Sequence, residues 1–253
     1  MRRPIAVLID SFLDFVWPPY CLSCELPSSQ APLCTACEDT LVPTHEDCCP
    51  HCGIVWLDPP PHGGKHHCGD RLKSPPPWHT ARGAFAYGGV LKTLIQRWKN
   101  KPDDTLSAYL ARLMSAQSIA CGWSPSRPDT LVVPIPADRK RLRQRGFHPA
   151  GYLARSLAKH IEQPFVPKVL RLIKPLPGTK GLRQDARKSR MHGVFDASSS
   201  EIEGRPIFLV DDVMTSGATV KAATQTLLRA GAESVTVAVL ARVPFRQSSG
   251  GDS

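Results

Sequence analysis

The chain has 253 residues, room for one full-size domain and a smaller module, and its 42% hydrophobic and 21% charged residues exclude a wholly disordered protein. A formal charge of +10 is unevenly placed along it. Residues 1–90 hold six Lys/Arg against nine Asp/Glu, net −3, whereas residues 91–253 hold 26 against 13, net +13, so the second part is the one that attracts phosphate.

At the amino terminus Ile5, Leu8, Ile9, Phe12 and Val16 recur at helical spacing, which predicts an amphipathic helix within residues 1–20 that packs on another surface. Its polar face carries Asp10 and Asp14, unsuited to anionic lipid. The apolar run after Arg2 and Arg3 is short and meets no small-residue cleavage site, so a secretory signal is not expected. No apolar stretch reaches the roughly 18 residues of a membrane-spanning helix.

Eight of the nine cysteines follow between positions 21 and 68. They run Cys21-x-x-Cys24, Cys34-x-x-Cys37, Cys48-Cys49-x-x-Cys52 and Cys68. A C-x-x-C turn brings two thiolates onto one ion, and a tetrahedral zinc takes two such pairs, or one pair with another Cys or His. Residues 21–74 are therefore expected to form a metal module with Cys21, Cys24, Cys34 and Cys37 as ligands. A disulfide framework is the competing account, disfavoured by tight C-x-x-C pairs without a secretory signal. A redox pair needs a strand-to-helix setting, which the surrounding Pro, Gly and polar residues do not offer. A second site is incomplete. Cys49, Cys52 and Cys68 lack a fourth thiolate because Arg71 stands where it is expected, and His66 is the chosen substitute, with His67, Cys48, His51 and His62 as alternatives.

Beyond residue 80 apolar runs alternate with helical patterns. An edge strand is expected at 84–87, helices at 90–98 and 106–120, a strand at 131–135, a helix at 150–161, strands at 207–210 and 235–240, and between these a helix at 219–229 closed by Gly231. The pattern predicts an α/β domain over 80–245, a parallel sheet flanked by helices, with 246–253 as a flexible tail. Two basic clusters stand out, Arg139, Lys140, Arg141, Arg143, Arg145 and Lys180, Arg183, Arg187, Lys188, Arg190, each equally readable as a solvated face.

The informative segment is Ile207-Phe208-Leu209-Val210-Asp211-Asp212-Val213-Met214-Thr215-Ser216-Gly217-Ala218-Thr219. A buried strand ends in two acids, and a hydroxyl- and glycine-bearing turn then opens a helix. Such a turn aims backbone N–H groups and the helix dipole at one point, so 215–219 can cradle a phosphate monoester. Adjacent carboxylates repel phosphate but suit the vicinal hydroxyls of a ribose whose 5′-phosphate lies in the turn.

This run resembles the phosphoribosyl-pyrophosphate (PRPP) loop of type I phosphoribosyltransferases. The resemblance implies that Asp211 and Asp212 hold the ribose hydroxyls while Val213, Met214, Thr215, Ser216, Gly217, Ala218 and Thr219 form the phosphate loop. It also implies pyrophosphate displacement from the ribose C1, with Mg²⁺ held mainly by the substrate's oxygens, Arg143 and Arg145 in the pyrophosphate loop, and Lys180 and Arg183 in a mobile loop.

The cysteine module, Ala84-Phe85-Ala86-Tyr87, Leu94-Ile95-Gln96-Arg97-Trp98-Lys99, Val133-Pro134-Ile135-Pro136, Arg145-Gly146-Phe147-His148 and the loop together resemble the ComF family from about residue 7 to 243. That resemblance implies a type I phosphoribosyltransferase fold behind a double zinc ribbon, in a bacterial cytoplasmic protein linked to DNA uptake and competence or to nucleotide metabolism. The chain departs from the family at His148, where an asparagine is usual, and at Arg71. Thr215 stands where purine-salvage enzymes have an acid, and no amino-terminal nucleophilic cysteine is present.

Two functions follow. The first is phosphoribosyl transfer from PRPP to an acceptor the sequence does not reveal. The alternative is a non-catalytic factor that binds single-stranded DNA, or a partner such as an uptake helicase; Trp98, Phe147 and Tyr152 beside basic residues suit base stacking there, although they read first as core residues. The zinc module is either a partner surface or a staple for a segment without a core.

Overall fold

The computed structural model describes residues 19–29, 32–44, 48–49, 51–55, 75–125, 127–176 and 193–244. The expected amino-terminal helix and carboxy-terminal tail lie outside them, apart from residues 19 and 20. The elements in chain order are α1 (Thr35–Glu38), β1 (Thr80–Ala86), α2 (Gly89–Asn100), α3 (Asp104–Ala116), β2 (Leu131–Pro134), α4 (Arg139–Arg145), α5 (Pro149–His160), β3 (Leu170–Leu172), β4 (Phe195–Ala197), α6 (Ser199–Ile202), β5 (Pro206–Met214), α7 (Ala218–Arg229) and β6 (Ser234–Arg242).

Strands β1, β6, β5 and β2 lie side by side in that order, all parallel. The pleat sends alternate residues to opposite faces, and both faces are buried. Phe208 and Val210 of β5, with Ala238 and Leu240 of β6, meet Leu94, Leu110, Leu153 and Leu157 from α2, α3 and α5. Ile207, Leu209, Val235, Val237 and Val239 point the other way, onto Val220, Ala223 and Leu227 of α7 and onto Leu170 and Phe195 of the small antiparallel pair β3 and β4. This is the helix-flanked parallel sheet that the alternation of apolar patterns predicts.

Both exposed edges are partly covered. Along β1, Pro43 bridges Phe85, Thr44 N donates to the Ala84 carbonyl at 3.2 Å and Ala86 N to the Val42 carbonyl at 2.8 Å. Along β2, Val132 N donates to the Pro164 carbonyl and Val166 N to the Val132 carbonyl. The cysteine-rich segment thus fastens to the sheet edge, blunting its unpaired backbone groups.

The elements differ from expectation in two places that bear on function. First, β5 does not stop at Val210. Pairing with β6 carries it on to Met214, with Asp211 opposite Val239 and Met214 opposite Arg242. Second, the basic run 139–145, expected as part of a loop, is a helix. Asp138 caps it by accepting from Lys140 N at 2.8 Å and Arg141 N at 3.4 Å, and Gly146 ends it with φ of +74°. Among the aromatics, Trp98 follows the core reading and not the stacking one. Trp98 is fully buried, donates from Nε1 to Ser107 Oγ at 2.8 Å and packs on the half-buried Phe147 with ring centroids 5.2 Å apart. It is a core residue closed to nucleic acid, and of the three only Tyr152 is exposed. No helix among the described residues is long and apolar enough to cross a membrane.

Candidate functional site

The amino-terminal cysteines form the first centre. Cys21, Cys24, Cys34 and Cys37 bring their sulfurs within 4.8 Å of one another. Cys24 and Cys34 Sγ lie 3.8 Å apart, far from an S–S bond and equal to the sulfur–sulfur edge of about 3.8 Å that a tetrahedron with zinc–sulfur bonds of about 2.3 Å requires. Cys21, Cys24, Cys34 and Cys37 are in no disulfide. Burial raises the Cys21 thiol, but amides of Cys24, Cys34 and Ser23 outweigh it and bring the pKa down to about 6. Burial and then the neighbouring cysteines push Cys37 up to about 12. Four crowded thiols cannot all ionise by themselves; a divalent cation removes that conflict, so the donor set fits structural zinc.

The turn that presents Cys21 occurs twice. Cys21 N donates to the Leu26 carbonyl and Glu25 N to the Cys21 carbonyl; likewise Cys49 N donates to the Ile54 carbonyl and Gly53 N to the Cys49 carbonyl. Glu25 and Gly53, equivalent in the two turns, have φ of 61° and 62°. Cys49 and Cys52 therefore sit on a second ligand knuckle of the same build. Their expected partners Cys68 and His66 lie outside the described residues.

The second centre lies at the carboxyl end of β5, where ligands bind in open parallel sheets. Asp211 and Asp212 are half-buried, and Asp212 N donates to Asp211 Oδ1 at 2.8 Å. Lys99, on α2, donates to Asp212 Oδ1 at 2.9 Å. Burial, and then the adjacent Asp212 charge, push Asp211 up to about 7. Past Met214, Thr215 and Ser216 are exposed, and Gly217 opens α7 with φ of +74° and no side-chain cap. The first amides of this 12-residue helix are thus left for an anion. A Cβ on Gly217 would lie 2.7 Å from Met214 Cε and 3.4 Å from the Trp78 ring. Gly217→Ala is accordingly expected to cost about 1–3 kcal/mol of stability through the left-handed backbone and this contact, read as a lowered thermal midpoint.

A cavity of about 130 Å³ joins Asp211, Asp212 and Thr219 to Arg141, Arg145 and His148. Arg141 and Arg145, four residues apart, share one face of α4. Arg143 is exposed and is not among the lining residues. Lys180 and Arg183 lie outside the described residues. His148 donates from Nε2 to the Ile135 carbonyl at 2.9 Å, and burial holds its pKa below the ordinary histidine range. Gly151 makes room for the ring, since a Cβ there would lie 2.6 Å from Nδ1.

Sequence reasoning missed Lys99 as the partner of Asp212 and Arg141 as the arginine that joins Arg145. For Arg141 the four-residue spacing was the available signal; for Lys99, 113 residues away from Asp212, there was none.

Comparison with known proteins agrees with this arrangement. Residues 143–249 match the family described as phosphoribosyl transferase domain, and residues 12–72 match the double zinc ribbon domain. The DNA utilization protein YhgH of Salmonella typhi is 28% identical over 89% of this chain and 97% of its own. Competence protein F of Haemophilus influenzae is 27% identical over 88% of this chain and 96% of its own. Competence protein ComFC of Bacillus subtilis is 28% identical over 59% of this chain and 58% of its own. Residues 12–72 are thus similar to double zinc ribbons and residues 143–249 to phosphoribosyl transferase domains, and the chain as a whole is similar to competence protein F of Haemophilus influenzae.

Proposed function

We propose that the protein binds PRPP with Mg²⁺ and transfers its phosphoribosyl group, in the bacterial cytoplasm and in a process tied to DNA uptake or nucleotide metabolism. The observation that carries this reading is the juxtaposition of the Asp211–Asp212 pair with an uncapped helix start behind Gly217. In this reading the carboxylates accept from the ribose hydroxyls, and the amides and hydroxyls of 215–219 hold the 5′-phosphate. Arg145 and Arg141 face the pyrophosphate, and Lys180 and Arg183 are further basic candidates for it. Mg²⁺, held by the substrate's oxygens, offsets charge on the leaving group. The acceptor's lone pair forms the new bond to C1, and the C1–O bond breaks with its electrons leaving on pyrophosphate. The names of the relatives support the link to DNA handling.

A second reading rests on α4, where Arg139, Lys140, Arg141 and Arg143 are exposed together. It makes the protein a single-stranded-DNA factor, or the docking site of a partner such as an uptake helicase, using the same fold without catalysis. Calorimetric titration of PRPP·Mg²⁺, with and without a single-stranded oligonucleotide, separates the two. Saturable PRPP binding supports the first reading. Absence of PRPP binding beside oligonucleotide binding that weakens with salt would replace it with the second.

A further inference from the structure

The phosphate loop rests on two side chains that are themselves held by the second cysteine knuckle. Arg242, the last residue of β6, is buried. Its Nη1 donates to the Met214 carbonyl at 2.9 Å and to the Thr215 carbonyl, the first two residues of the loop's turn. Its Nε donates to the Cys52 carbonyl at 3.3 Å. One guanidinium thus spans the loop and the knuckle, a use of the rigid fork that an ammonium cannot copy.

Trp78 makes the second link. Its ring lies beside Gly217, and its Nε1 donates to the His51 carbonyl at 2.9 Å. The knuckle is in turn seated on β1. The His51 carbonyl also accepts from Ala81 N at 2.9 Å, and the Cys49 carbonyl accepts from Arg82 Nη1 at 2.9 Å. Gly53 touches the Ala81 carbonyl so closely that a Cβ has no room there. Three carbonyls of one turn, at Cys49, His51 and Cys52, are therefore fixed by groups of the α/β domain, and two of those groups bear on the phosphate loop.

We propose that the Cys49–Cys52 knuckle sets the shape of the phosphate loop through Arg242 and Trp78, which act as positioning residues, so that the state of the metal module governs affinity for PRPP. The inference deepens the PRPP reading and rests on it for its ligand. The physical reason is preorganisation. A loop that must aim several amides at one phosphate binds tightly only if its carbonyls are already held on the far side.

The test uses the full chain as wild type, Arg242→Met, Arg242→Lys, Trp78→Phe and the double variant Cys49→Ser, Cys52→Ser. Hydrogen exchange of amides 215–219 is read without ligand, and PRPP·Mg²⁺ affinity by calorimetry. Arg242→Met is expected to speed exchange at 215–219 by about tenfold beyond any change in the body of β5 and β6, and to weaken PRPP by a similar factor. Arg242→Lys restores only part of both, and the cysteine double variant moves both in the same direction as Arg242→Met. Trp78→Phe keeps a ring beside Gly217 and deletes the indole donor. It is expected to speed exchange about threefold, and it decides the question should Arg242→Met fail to fold. Exchange at 215–219 that is unchanged, or that rises equally throughout β5 and β6, overturns the proposal. Because exchange needs no ligand, a wild type that does not bind PRPP ends the PRPP reading alone and leaves the positioning role to be decided by exchange.

Discussion

Removal of zinc from the full chain is expected to unfold residues 19–55 and to lower the thermal midpoint of the rest. The described part of that segment buries little apolar surface beyond its cysteines, chiefly Leu33 and Val55. Leu33 and Cys21 pack onto one cluster of the α/β sheet, and Cys49 and Cys52 onto the other, rather than forming a core of their own, so the segment depends on a cross-link. Structural zinc contributes on the order of 10 kcal/mol in comparable small modules, more than any other single interaction here. Cys34→Ser removes one corner of the tetrahedron and is expected to give the same loss as a strong chelator. The pKa values give the pH dependence a sign. With Cys37 at about 12 and Cys21 at about 6, the metal-free cluster holds protons that zinc must expel at neutral pH. Zinc affinity therefore rises with pH, and calorimetry in buffers of different ionisation enthalpy should register proton release. Metal analysis that finds no zinc, together with a midpoint indifferent to chelator, would refute the assignment. The loss also reaches the domain behind the module, because residues 42–44 cover the edge of β1 and the second knuckle is seated on its first half.

The double variant Asp211→Ala, Asp212→Ala is expected to weaken PRPP·Mg²⁺ binding by about 100-fold or more. In the proposed reading each carboxylate would supply a charge-assisted hydrogen bond worth roughly 1.5–3 kcal/mol to a ribose hydroxyl. Asp212→Asn keeps the shape, leaves Lys99 a neutral acceptor and is expected to fall between the extremes. Asp211 adds a pH signature. Its pKa is raised to about 7, so it is protonated in slightly acidic solution and becomes a full acceptor as pH climbs past neutrality. PRPP affinity should increase from pH 6 to pH 8, and Asp211→Asn should flatten the curve. Stability runs the opposite way. A carboxyl whose folded pKa lies above its unfolded value of about 4 binds more protons folded than unfolded, so ligand-free stability falls as pH rises from about 4 towards 7. Asp211→Asn removes that fall. Equal calorimetric affinity in wild type and the double variant would exclude these carboxylates from PRPP binding.

The legible part of the molecule was that in which chemistry is written in consecutive residues. The run Ile207-Phe208-Leu209-Val210 announces a strand buried on both faces, and Asp211, Asp212 and the turn to Thr219 announce two acids ahead of an uncapped helix start, because strand, acids and helix start are local in sequence. The C-x-x-C pairs were legible for the same reason, since each lies within one local turn: six-residue hydrogen-bonded turns at 21–26 and 49–54, and the start of α1 for Cys34 and Cys37. The run 139–145 stood out by its charge, but its helical form turned on one cap, Asp138, and one left-handed glycine, Gly146. That local geometry brought Arg141 and Arg145 to the cavity and left Arg143 exposed and outside its lining. Trp98 reads first as a core residue despite standing between Arg97 and Lys99, and its period on α2 with Leu91, Leu94 and Ile95 places it there.

What the sequence determined by itself was the set of parts: C-x-x-C pairs at 21–24, 34–37 and 49–52, an α/β alternation from residue 80, and a glycine-bearing turn after β5. What only the tertiary structure decided was how the parts meet. The strand order β1-β6-β5-β2, the pairing that extends β5 through its two acids, Lys99 on Asp212 across 113 residues and Arg242 on Cys52 across 190 are all of this kind. Periodicity tells each segment which face to bury, since burial depends only on where apolar side chains recur. It does not say against which distant segment, because that choice belongs to the packing of the whole chain.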